Sequence, residues 1–279
     1  MILNPTTIAL TSSHVMAIVN LTPDSFYATS RNMSEEDAAR AIKRAIIEGA
    51  TIVDLGGYSS RPGADDVDVE EEWRRVRMGL TAAHSVDSGV VVSIDTFRSE
   101  VVRRAYEEFG PIIVNDISAG EMDDAMVGVV ARYNLPYVAM HMRGTPESMN
   151  QLTDYPKGVV RGVVGYFEER IAELEKSGIR RENIILDPGF GFAKSVEQNW
   201  ELLGGLDELR ALGQPLLIGV SRKSMIYRLL NTTPDEALPG SLCVAWEALR
   251  GGAAILRVHD VAATRQVLEL SNYFKEFAR

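Results

Sequence analysis

Polar and charged side chains recur directly after short apolar runs along this 279-residue sequence. Three of them carry carboxylate or amide groups, namely Asp95, Asn115 and Asp187. Carboxylates accept hydrogen bonds and an asparagine amide both accepts and donates them, so this set suits a flat heterocycle with several N–H groups. A second, cationic set consists of Arg61, Lys223, Arg257 and His259. Because such groups bind phosphate, the cationic set suits a phosphate or diphosphate ligand.

Aromatic, hydroxyl and amide residues supply further candidates. An aromatic ring could be sandwiched by Phe26, Pro62 and Phe192. Ser224 stands at a predicted helix start, where its backbone N–H could bind an anion. A diphosphate is normally bound together with Mg²⁺, which prefers oxygen ligands, and Asn20 is a possible direct ligand. The sequence has no His or Cys cluster with zinc spacing, no Gly-x-Gly-x-x-Gly after the first apolar run and no serine nucleophile elbow.

Eight apolar runs predict the strands that must bring these candidates together. They cover residues 15–19, 51–53, 90–94, 112–114, 137–140, 184–186, 216–220 and 254–256. The runs are rich in Val and Ile and do not alternate with polar residues, which is typical of strands buried on both faces of a parallel sheet. Helical patterns lie between them, one after a predicted N-cap at Ser34 and one after a capping box that opens at Ser195. The last predicted helix has an apolar face made of Ala263, Val267, Leu270, Phe274 and Phe277.

Strands that alternate with helices predict βαβ units and a parallel sheet. We predict an α/β fold, a single (β/α)₈ TIM barrel that forms one domain over residues 1–279. Such a barrel needs roughly 250 residues. A doubly wound open sheet is the alternative. In a barrel the carboxyl ends of all eight strands converge at one mouth, so we expect the polar residues after the runs to share one active site, although a single Asp there could instead brace a loop.

Charge and cysteine content limit the class of protein. The formal charge is −10, from 29 Lys and Arg against 39 Asp and Glu. That balance argues against a general binder of nucleic acid or of an anionic membrane. The single cysteine, Cys243, lies in an apolar stretch and is expected to be a buried thiol. A lone cysteine cannot form an internal disulfide, and no secretory signal or membrane span is predicted, so we expect a cytoplasmic protein.

Eight ordered motifs, running from about Met16 to Asp260, resemble those of the dihydropteroate synthase family. They are Asn20-Leu21-Thr22-Pro23-Asp24-Ser25-Phe26, Ser59-Ser60-Arg61-Pro62-Gly63-Ala64, Ser93-Ile94-Asp95-Thr96, Asn115-Asp116-Ile117-Ser118, Met140-His141-Met142-Arg143-Gly144-Thr145-Pro146, Asp187-Pro188-Gly189-Phe190-Gly191-Phe192, Ser221-Arg222-Lys223-Ser224 and Arg257-Val258-His259-Asp260. One motif follows each predicted strand, which makes the resemblance specific. The fold that it implies is also the (β/α)₈ barrel.

The resemblance implies a role for each matched residue. A pterin would be held by Asp95, Asn115, Asp187 and Lys223, with Ile117 and Met140 lining its pocket and Arg257 stacked on the ring. Pyrophosphate would be bound by Asn20 with Mg²⁺, and by Ser60, Arg61, Arg257 and His259. The p-aminobenzoate would lie among Phe26, Pro62, Phe192 and Lys223, with its carboxylate at Ser224.

The implied reaction joins 6-hydroxymethyl-7,8-dihydropterin diphosphate to p-aminobenzoate and gives 7,8-dihydropteroate and pyrophosphate, in folate biosynthesis. The implied mechanism is an S_N1-like displacement, in which Lys223, Arg257, His259 and Arg61 would be the catalytic residues. Enzymes of the family are targets of sulfonamides, which compete with p-aminobenzoate. The family is usually dimeric through late helices, and the apolar face near residues 242–249 permits a homodimer.

The resemblance also implies that the first two loops, which follow the first two predicted strands, close over the site. These closing loops depart from the family pattern. Phe26 is followed by Tyr27-Ala28-Thr29-Ser30 where Ser-Asp-Gly-Gly is usual, and Tyr58 and Ser60 replace Glu and Thr. Ala193 replaces the second Gly of Phe-Gly-Phe-Gly-Lys. An active synthase is the leading interpretation, and a non-catalytic paralogue that keeps a pterin or phosphate pocket is the alternative. A pterin-dependent methyltransferase on the same barrel is a third, against which Ser221-Arg222-Lys223 argues.

Overall fold

The computed structural model describes residues 2–3, 8–10, 12–22, 34–58, 67–145 and 148–277. Several predicted site residues lie outside these ranges, namely Phe26, Ser60, Arg61 and Pro62, together with the altered first loop at Tyr27, Ala28, Thr29 and Ser30. Their predicted roles stay predictions.

Ten strands and ten α-helices make up the described chain. The strands are β1 (Ile2–Leu3), β2 (Ile8–Ala9), β3 (His14–Asn20), β4 (Ile52–Gly56), β5 (Val91–Asp95), β6 (Ile113–Asp116), β7 (Tyr137–Met140), β8 (Ile184–Asp187), β9 (Leu216–Ile218) and β10 (Ala253–Val258). The helices are α1 (Glu35–Ile47), α2 (Val69–Val86), α3 (Ser99–Phe109), α4 (Met126–Tyr133), α5 (Val159–Lys176), α6 (Val196–Gly204), α7 (Leu206–Arg210), α8 (Ser224–Tyr227), α9 (Leu238–Arg250) and α10 (Val261–Phe277).

Strands β3 to β10 close into an eight-stranded parallel barrel. Each strand pairs with the next along the chain, and β10 returns to pair with β3, where Arg257 lies opposite Met16. This closure confirms the predicted (β/α)₈ barrel and rules out the open doubly wound sheet. All eight apolar runs overlap one of these strands. The short antiparallel pair β1–β2 precedes the barrel.

An apolar layer fills the lower part of the barrel interior. It takes one buried residue from each strand, namely Met16, Ile52, Val91, Ile113, Val138, Ile185, Leu217 and Ile255, and Leu10 packs against it. Because side chains alternate between the two faces of a strand, residues two and four positions further along also face inward. The layer therefore fixes which residues of each strand rise into the mouth.

The outer faces of the strands are covered by helices, which explains why the strand sequences do not alternate with polar residues. Helix α1 buries Ala38, Ile42 and Ala45 against the sheet and begins at a capping box formed by Ser34. A second capping box at Ser195 opens α6. Both N-termini were predicted from sequence and are confirmed.

The predicted apolar face of α10 is largely exposed at Leu270, Phe274 and Phe277, and α10 packs on the barrel through Val261, Thr264, Leu268 and Ser271. One expectation about the late helices is wrong. Cys243 is exposed rather than buried, because α9 packs inward through Val244, Ala245 and Ala248 and leaves the thiol on its outer side. None of the helices in the described chain combines the length and the apolar character that crossing a membrane requires.

Candidate active site

The strand register brings predicted site residues to one level at the barrel mouth. Asn20 of β3 lies opposite Gly56 of β4, Gly56 lies opposite Asp95 of β5, and Asp95 lies opposite Asn115 of β6. Glycine at position 56 leaves this row open, since a β-carbon there would lie 3.6 Å from Asn20 Oδ1 and 3.8 Å from Asp95 Cβ. Side chains from these neighbouring strands therefore meet at the base of the mouth, where they form a polar floor.

Arg257 lies on this floor between two carboxylates. Its Nε donates to Asp54 Oδ2 at 2.6 Å, and one terminal nitrogen donates to Asp95 Oδ2 at 2.7 Å. Burial disfavours the guanidinium charge, but the two carboxylates outweigh this effect and raise the pKa of Arg257. Arg257 is therefore cationic at any physiological pH and is held rigidly by its neighbours.

The carboxyl group of Asp95 responds to the same surroundings. Burial raises its pKa, Arg257 opposes that rise, and the nearby negative charges of Asp54 and Glu72 add to it. A carboxyl group of this kind changes its protonation more readily near neutral pH than an ordinary aspartate does.

Asn115 is oriented by the same buried aspartate. Its Nδ2 donates to Asp54 Oδ2 at 3.0 Å, which leaves the amide oxygen as an acceptor. Asp54 is fully buried and belongs to β4, two residues above Ile52 of the apolar layer. No role was predicted for Asp54 from the sequence, although the two-residue period counted from an inward Ile52 places it inside the barrel.

Asp187 and Lys223 occupy the opposite part of the mouth. Asp187 accepts a hydrogen bond from the backbone N–H of Gly189 at 2.8 Å. Burial raises the pKa of Asp187, while this hydrogen bond and the positive charge of Lys223 oppose the rise. The turn needs glycine, because Gly189 has a φ of +69° and a β-carbon there would lie 2.0 Å from the backbone oxygen of His141.

An apolar wall adjoins the polar groups. It consists of the buried residues Ile117, Met140, Met142, Met149 and Ala193, with Phe97 and Phe192 packed against it. Lys223 Nζ lies 4.6 Å from the centroid of the Phe192 ring, a cation–π distance. A flat ring system could therefore lie between apolar side chains and donors or acceptors aimed at its edge.

His259 and Ser221 meet at the rim. The His259 backbone N–H donates to Ser221 Oγ at 3.2 Å, and the same hydroxyl lies 3.1 Å from His259 Nδ1. A hydroxyl that accepts from the backbone can donate to Nδ1, which leaves the proton of the neutral ring on Nε2. Desolvation at the crowded rim and the charge of Arg257 lower the pKa of His259, although the residue is exposed. Ser224 is the first residue of α8, which is only four residues long.

His141 lies behind the mouth rather than in it. It follows the inward-facing Met140, so its ring points to the helix side, where it stands edge-on to Tyr166 with centroids 4.9 Å apart. Its Nδ1 lies 3.0 Å from Lys194 Nζ, and burial lowers its pKa well below the usual value. His141 therefore packs with Lys194 and Tyr166 behind the mouth and does not face a ligand there.

The amide oxygen of Asn20 fits a magnesium ion that takes most of its ligands from substrate and water. Across the described ranges, no cluster of three or more His, Cys, Asp or Glu is arranged to hold a metal. Asn20 offers one amide oxygen at the mouth, beside Gly56 and Asp95. Mg²⁺ commonly binds through one or two protein oxygens plus substrate phosphates and water, so this single ligand is compatible with it.

The structure thus brings the described site residues to one end of the barrel. Arg257 donates to both Asp54 and Asp95, and Asp54 also accepts from Asn115. Asp187, Lys223 and Phe192 lie across the mouth. The remaining described candidates are at the wall or rim, namely Asn20, Ile117, Met140, Ser224 and His259.

Comparison with known proteins agrees with this arrangement. Residues 16–259 match the pterin binding enzyme family. The dihydropteroate synthase of Escherichia coli strain K12 is 43% identical over 265 residues, which cover 95% of this chain and 93% of that protein. A crystal structure of the Yersinia pestis dihydropteroate synthase with a sulfonamide drug complex is 34% identical, covers 97% of both chains and gives a TM-score of 0.90.

The dihydropteroate synthase of Xanthomonas albilineans in complex with 7,8-dihydropteroate is also similar. It is 34% identical, covers 96% of this chain and 95% of its own, and gives a TM-score of 0.83. The likeness extends over almost the whole length of each protein, in both sequence and fold. This chain therefore belongs to the pterin binding enzyme family, among the dihydropteroate synthases.

Proposed function

We propose that the barrel mouth joins 6-hydroxymethyl-7,8-dihydropterin diphosphate to p-aminobenzoate, releasing pyrophosphate and 7,8-dihydropteroate. The observation that carries the proposal is the polar floor, where Arg257 bridges Asp54 and Asp95 and where Asn115 hydrogen-bonds to Asp54. A pterin presents N–H donors and acceptors along its edge, which match this mixture of carboxylate, amide and guanidinium groups. The product named for the Xanthomonas enzyme is the one that the reaction gives.

The reaction breaks the bond between the pterin methylene carbon and the diphosphate oxygen, whose electron pair leaves with pyrophosphate. The arylamine nitrogen of p-aminobenzoate then bonds to that carbon and loses a proton. A cationic pterin intermediate would be favoured by the carboxylates of Asp95 and Asp187 near the ring. No covalent bond to the enzyme is needed, so catalysis rests on orientation and on electrostatic stabilisation.

Each group of residues then has a distinct role. Asp95, Asn115 and Asp187 would bind the pterin edge, and Ile117 and Met140 would pack against its face. Arg257 and His259 would bind the departing pyrophosphate, together with Ser60 and Arg61, which lie outside the described residues. Neutral His259 can donate a hydrogen bond from Nε2 to a phosphate oxygen.

The p-aminobenzoate would lie beside Phe192, Lys223 and Ser224, with Phe26 and Pro62 of the closing loops completing its pocket. Lys223 already lies over the Phe192 ring, so the ammonium and the aromatic face are close enough to contact one small ligand together. Sulfonamides resemble p-aminobenzoate, and the Yersinia enzyme was solved with a sulfonamide drug complex. We infer that sulfonamides bind this chain at the same pocket.

Magnesium is the cofactor that we propose. Asn20 would supply one oxygen ligand, and the diphosphate and water would supply the others. When bound, the ion would neutralise negative charge on the leaving group.

Steady-state turnover tests the proposed function. Folded protein with Mg²⁺, the pterin diphosphate and p-aminobenzoate should produce 7,8-dihydropteroate and pyrophosphate in equal amounts. A titration by calorimetry identifies the alternative, because a non-catalytic paralogue would bind the pterin ligand without turnover. Absence of product from folded protein would refute the proposal.

We also propose that the chain is a homodimer through α9 and α10. Leu270, Phe274 and Phe277 are 63%, 54% and 65% exposed, which is unusual for large apolar side chains on one helix face. Trp246 of α9 extends the same surface, with its ring centroid 5.9 Å from that of Phe274. A second copy related by a twofold axis would cover the patch on both chains.

Light scattering after gel filtration tests the dimer. The protein should elute with twice the chain mass, and Phe274→Asp should shift it toward the monomer. A monomeric wild-type protein at micromolar concentration would refute the homodimer.

The cytoplasmic location remains a proposal that rests on the single cysteine.

A further inference from the structure

Asp54 lies beneath the polar floor, and none of the proposed ligand contacts involves it. Its side chain is fully buried, and one oxygen, Oδ2, accepts hydrogen bonds from both Arg257 Nε and Asn115 Nδ2. These two residues are the ones proposed to bind the leaving group and the pterin edge. One buried atom is therefore shared by two parts of the proposed site.

The hydrogen bonding of Asp54 argues against a role in fold stability alone. Its second oxygen, Oδ1, is buried and has no hydrogen-bond partner within the described part of the chain, and the same holds for Ser93 Oγ. Ser93 is the register partner of Asp54 on the adjacent strand. A buried polar atom without a partner costs free energy, and a buried ion pair is often no more stable than apolar groups of the same volume. Apolar side chains at this level would serve the barrel core equally well.

The hydrogen bonds made by Oδ2 decide which atoms face the ligand. Because Asn115 donates its amide N–H to Asp54, its amide oxygen is the atom left to accept from a pterin N–H. Because Arg257 is held through Nε, its rotation about the last side-chain bonds is restricted, and the terminal nitrogens remain for Asp95 and a ligand. Asp54 thus restricts both groups before any ligand arrives.

We propose that Asp54 is a positioning residue of the synthase reaction, which sets the amide orientation of Asn115 and anchors the guanidinium of Arg257. The inference rests on the proposed function. Asp54 itself would not touch the pterin, the diphosphate or p-aminobenzoate. Its effect on the reaction is transmitted through the two residues that it holds.

Asp54→Asn tests the proposal, since asparagine has the same shape but lacks the charge and can present its N–H to Asn115 or Arg257. We expect kcat/KM for the pterin diphosphate to fall at least tenfold, because both anchored groups lose their fixed orientation. The KM for p-aminobenzoate should stay within about twofold, because that substrate is proposed to lie beside Phe192 and Lys223, which follow β8 and β9, across the barrel from β4 and Asp54. Calorimetry with the pterin diphosphate should show the same loss in binding.

Asp116→Asn is the matched control. Asp116 is also a fully buried aspartate on a barrel strand, next to Asn115, but it faces the helices and accepts from Tyr137 Oη at 2.7 Å and from the Ser118 backbone N–H at 2.8 Å. Its replacement should lower the unfolding midpoint and leave both KM values within about threefold of the wild type. The comparison separates loss of a buried carboxylate from loss of the Arg257 anchor.

A double-mutant cycle with Arg257→Lys tests whether the effect passes through Arg257. In the Arg257→Lys background, Asp54→Asn should reduce kcat/KM by clearly less than it does in the wild type. Full additivity, or equal changes in the KM of both substrates, would overturn the proposal. A wild-type protein without turnover would instead refute the proposed function, and the calorimetric comparison would still show whether Asp54 orients the pterin-binding groups.

Asp54→Ser is the second variant if Asp54→Asn does not fold. A serine at this position is small and neutral and leaves the apolar layer unchanged. If neither variant folds while Asp116→Asn does, Asp54 is required by the fold itself, and the positioning role is overturned.

Discussion

Replacing Lys194 by methionine should change how the stability of the fold depends on pH. Lys194 is 8% exposed, and its Nζ hydrogen-bonds to the backbone oxygens of Gly189 and Phe192, both at 2.9 Å, and lies 3.0 Å from His141 Nδ1. Burial lowers the pKa of Lys194 from 10.5 to about 7, an effect that Asp187 opposes and Lys223 reinforces. At about 1.36 kcal/mol per tenfold change in proton affinity, this shift corresponds to about 5 kcal/mol.

The hydrogen bonds persist when the lysine loses its proton. Burial keeps His141 neutral, so its Nδ1 can either accept from the ammonium or carry a proton and donate to the neutral amine. The two carbonyl oxygens keep a donor in both states. The pH dependence therefore reflects the energetic penalty of burying the charge rather than the loss of the contacts.

The sign follows from proton binding in the two states. In the unfolded chain the lysine stays protonated up to about pH 10, whereas in the folded protein it releases its proton near pH 7. Between these values the unfolded state binds more protons, so stability rises with pH. Below pH 7 the lysine is protonated in both states, so the folded protein carries the full energetic penalty of burying the charge. From pH 7 to pH 9 the free energy of unfolding of the wild type should rise by about 2 kcal/mol relative to that of Lys194→Met, which has no group to titrate at this position.

Urea unfolding at pH 7, 8 and 9 measures this difference. Lys176→Met is the matched control, since Lys176 is an exposed lysine at the end of α5 and its removal should leave the pH dependence of the wild type unchanged. Parallel curves for the wild type and Lys194→Met would show that Lys194 keeps an ordinary pKa, and the reasoning from burial would be wrong.

Three further predictions concern the site and its turns. Lys223→Ala should reduce turnover and pterin binding at least tenfold with an unchanged circular dichroism spectrum, and wild-type kinetics would refute the role of Lys223. Asn20→Ala should raise the Mg²⁺ concentration for half-maximal turnover several-fold, and an unchanged Mg²⁺ titration would remove Asn20 from the metal site. Ala193 has a φ of +52°, where an L-residue is strained, so Ala193→Gly should stabilise the fold by about 1 kcal/mol in urea unfolding. A lower urea midpoint would contradict that last prediction.

The barrel could be predicted because its strands leave a strong local signal. Continuous Val- and Ile-rich runs follow from burial on both faces, and the polar residues that end them follow from the common mouth. Both features survive in the structure at β5, whose run ends at Asp95, and at β8, whose run ends at Asp187. The order of elements and the position of the site thus required no long-range information.

The direction of individual side chains was harder to predict. Met140 is the last residue of an apolar run and His141 follows it directly, yet only Met140 faces the interior. The two-residue period becomes informative only when one inward residue per strand is known, such as Val138, and that depends on how the barrel closes. Asp54 was missed for the same reason, because its run gave no indication of which face carried it.

The late helices show a different limit. An apolar stripe on a helix indicates a surface that avoids water, but it does not state whether the partner is the same chain. In α10 the residues that pack on the barrel include Thr264 and Ser271, whereas Phe274 and Phe277 face outward. The hydrophobic pattern therefore identified an apolar face of the helix but not the surface that it contacts.

The departure at Tyr58 can be understood from its neighbours at the base of the second loop. Arg98 already donates to Glu72 Oε2 at 2.7 Å, and Glu72 is fully buried. A glutamate at position 58, as is usual in the family, would bring another carboxylate toward the same guanidinium. Instead the Tyr58 and Phe97 rings meet edge-on with centroids 5.1 Å apart, and the Arg98 guanidinium carbon lies 5.2 Å from both.

The two rings contact the Arg98 cation, and because they are neutral they add no charge to the mouth. Phe97 also packs against the apolar wall that contains Ile117 and Met140, so the base of the second loop is joined to the side of the pocket that a pterin ring would face. The hydrogen bonds described for the polar floor run among Asp54, Asp95, Asn115 and Arg257. A chain can therefore change the residue at the start of a closing loop while the groups proposed to bind the pterin edge keep their hydrogen bonds.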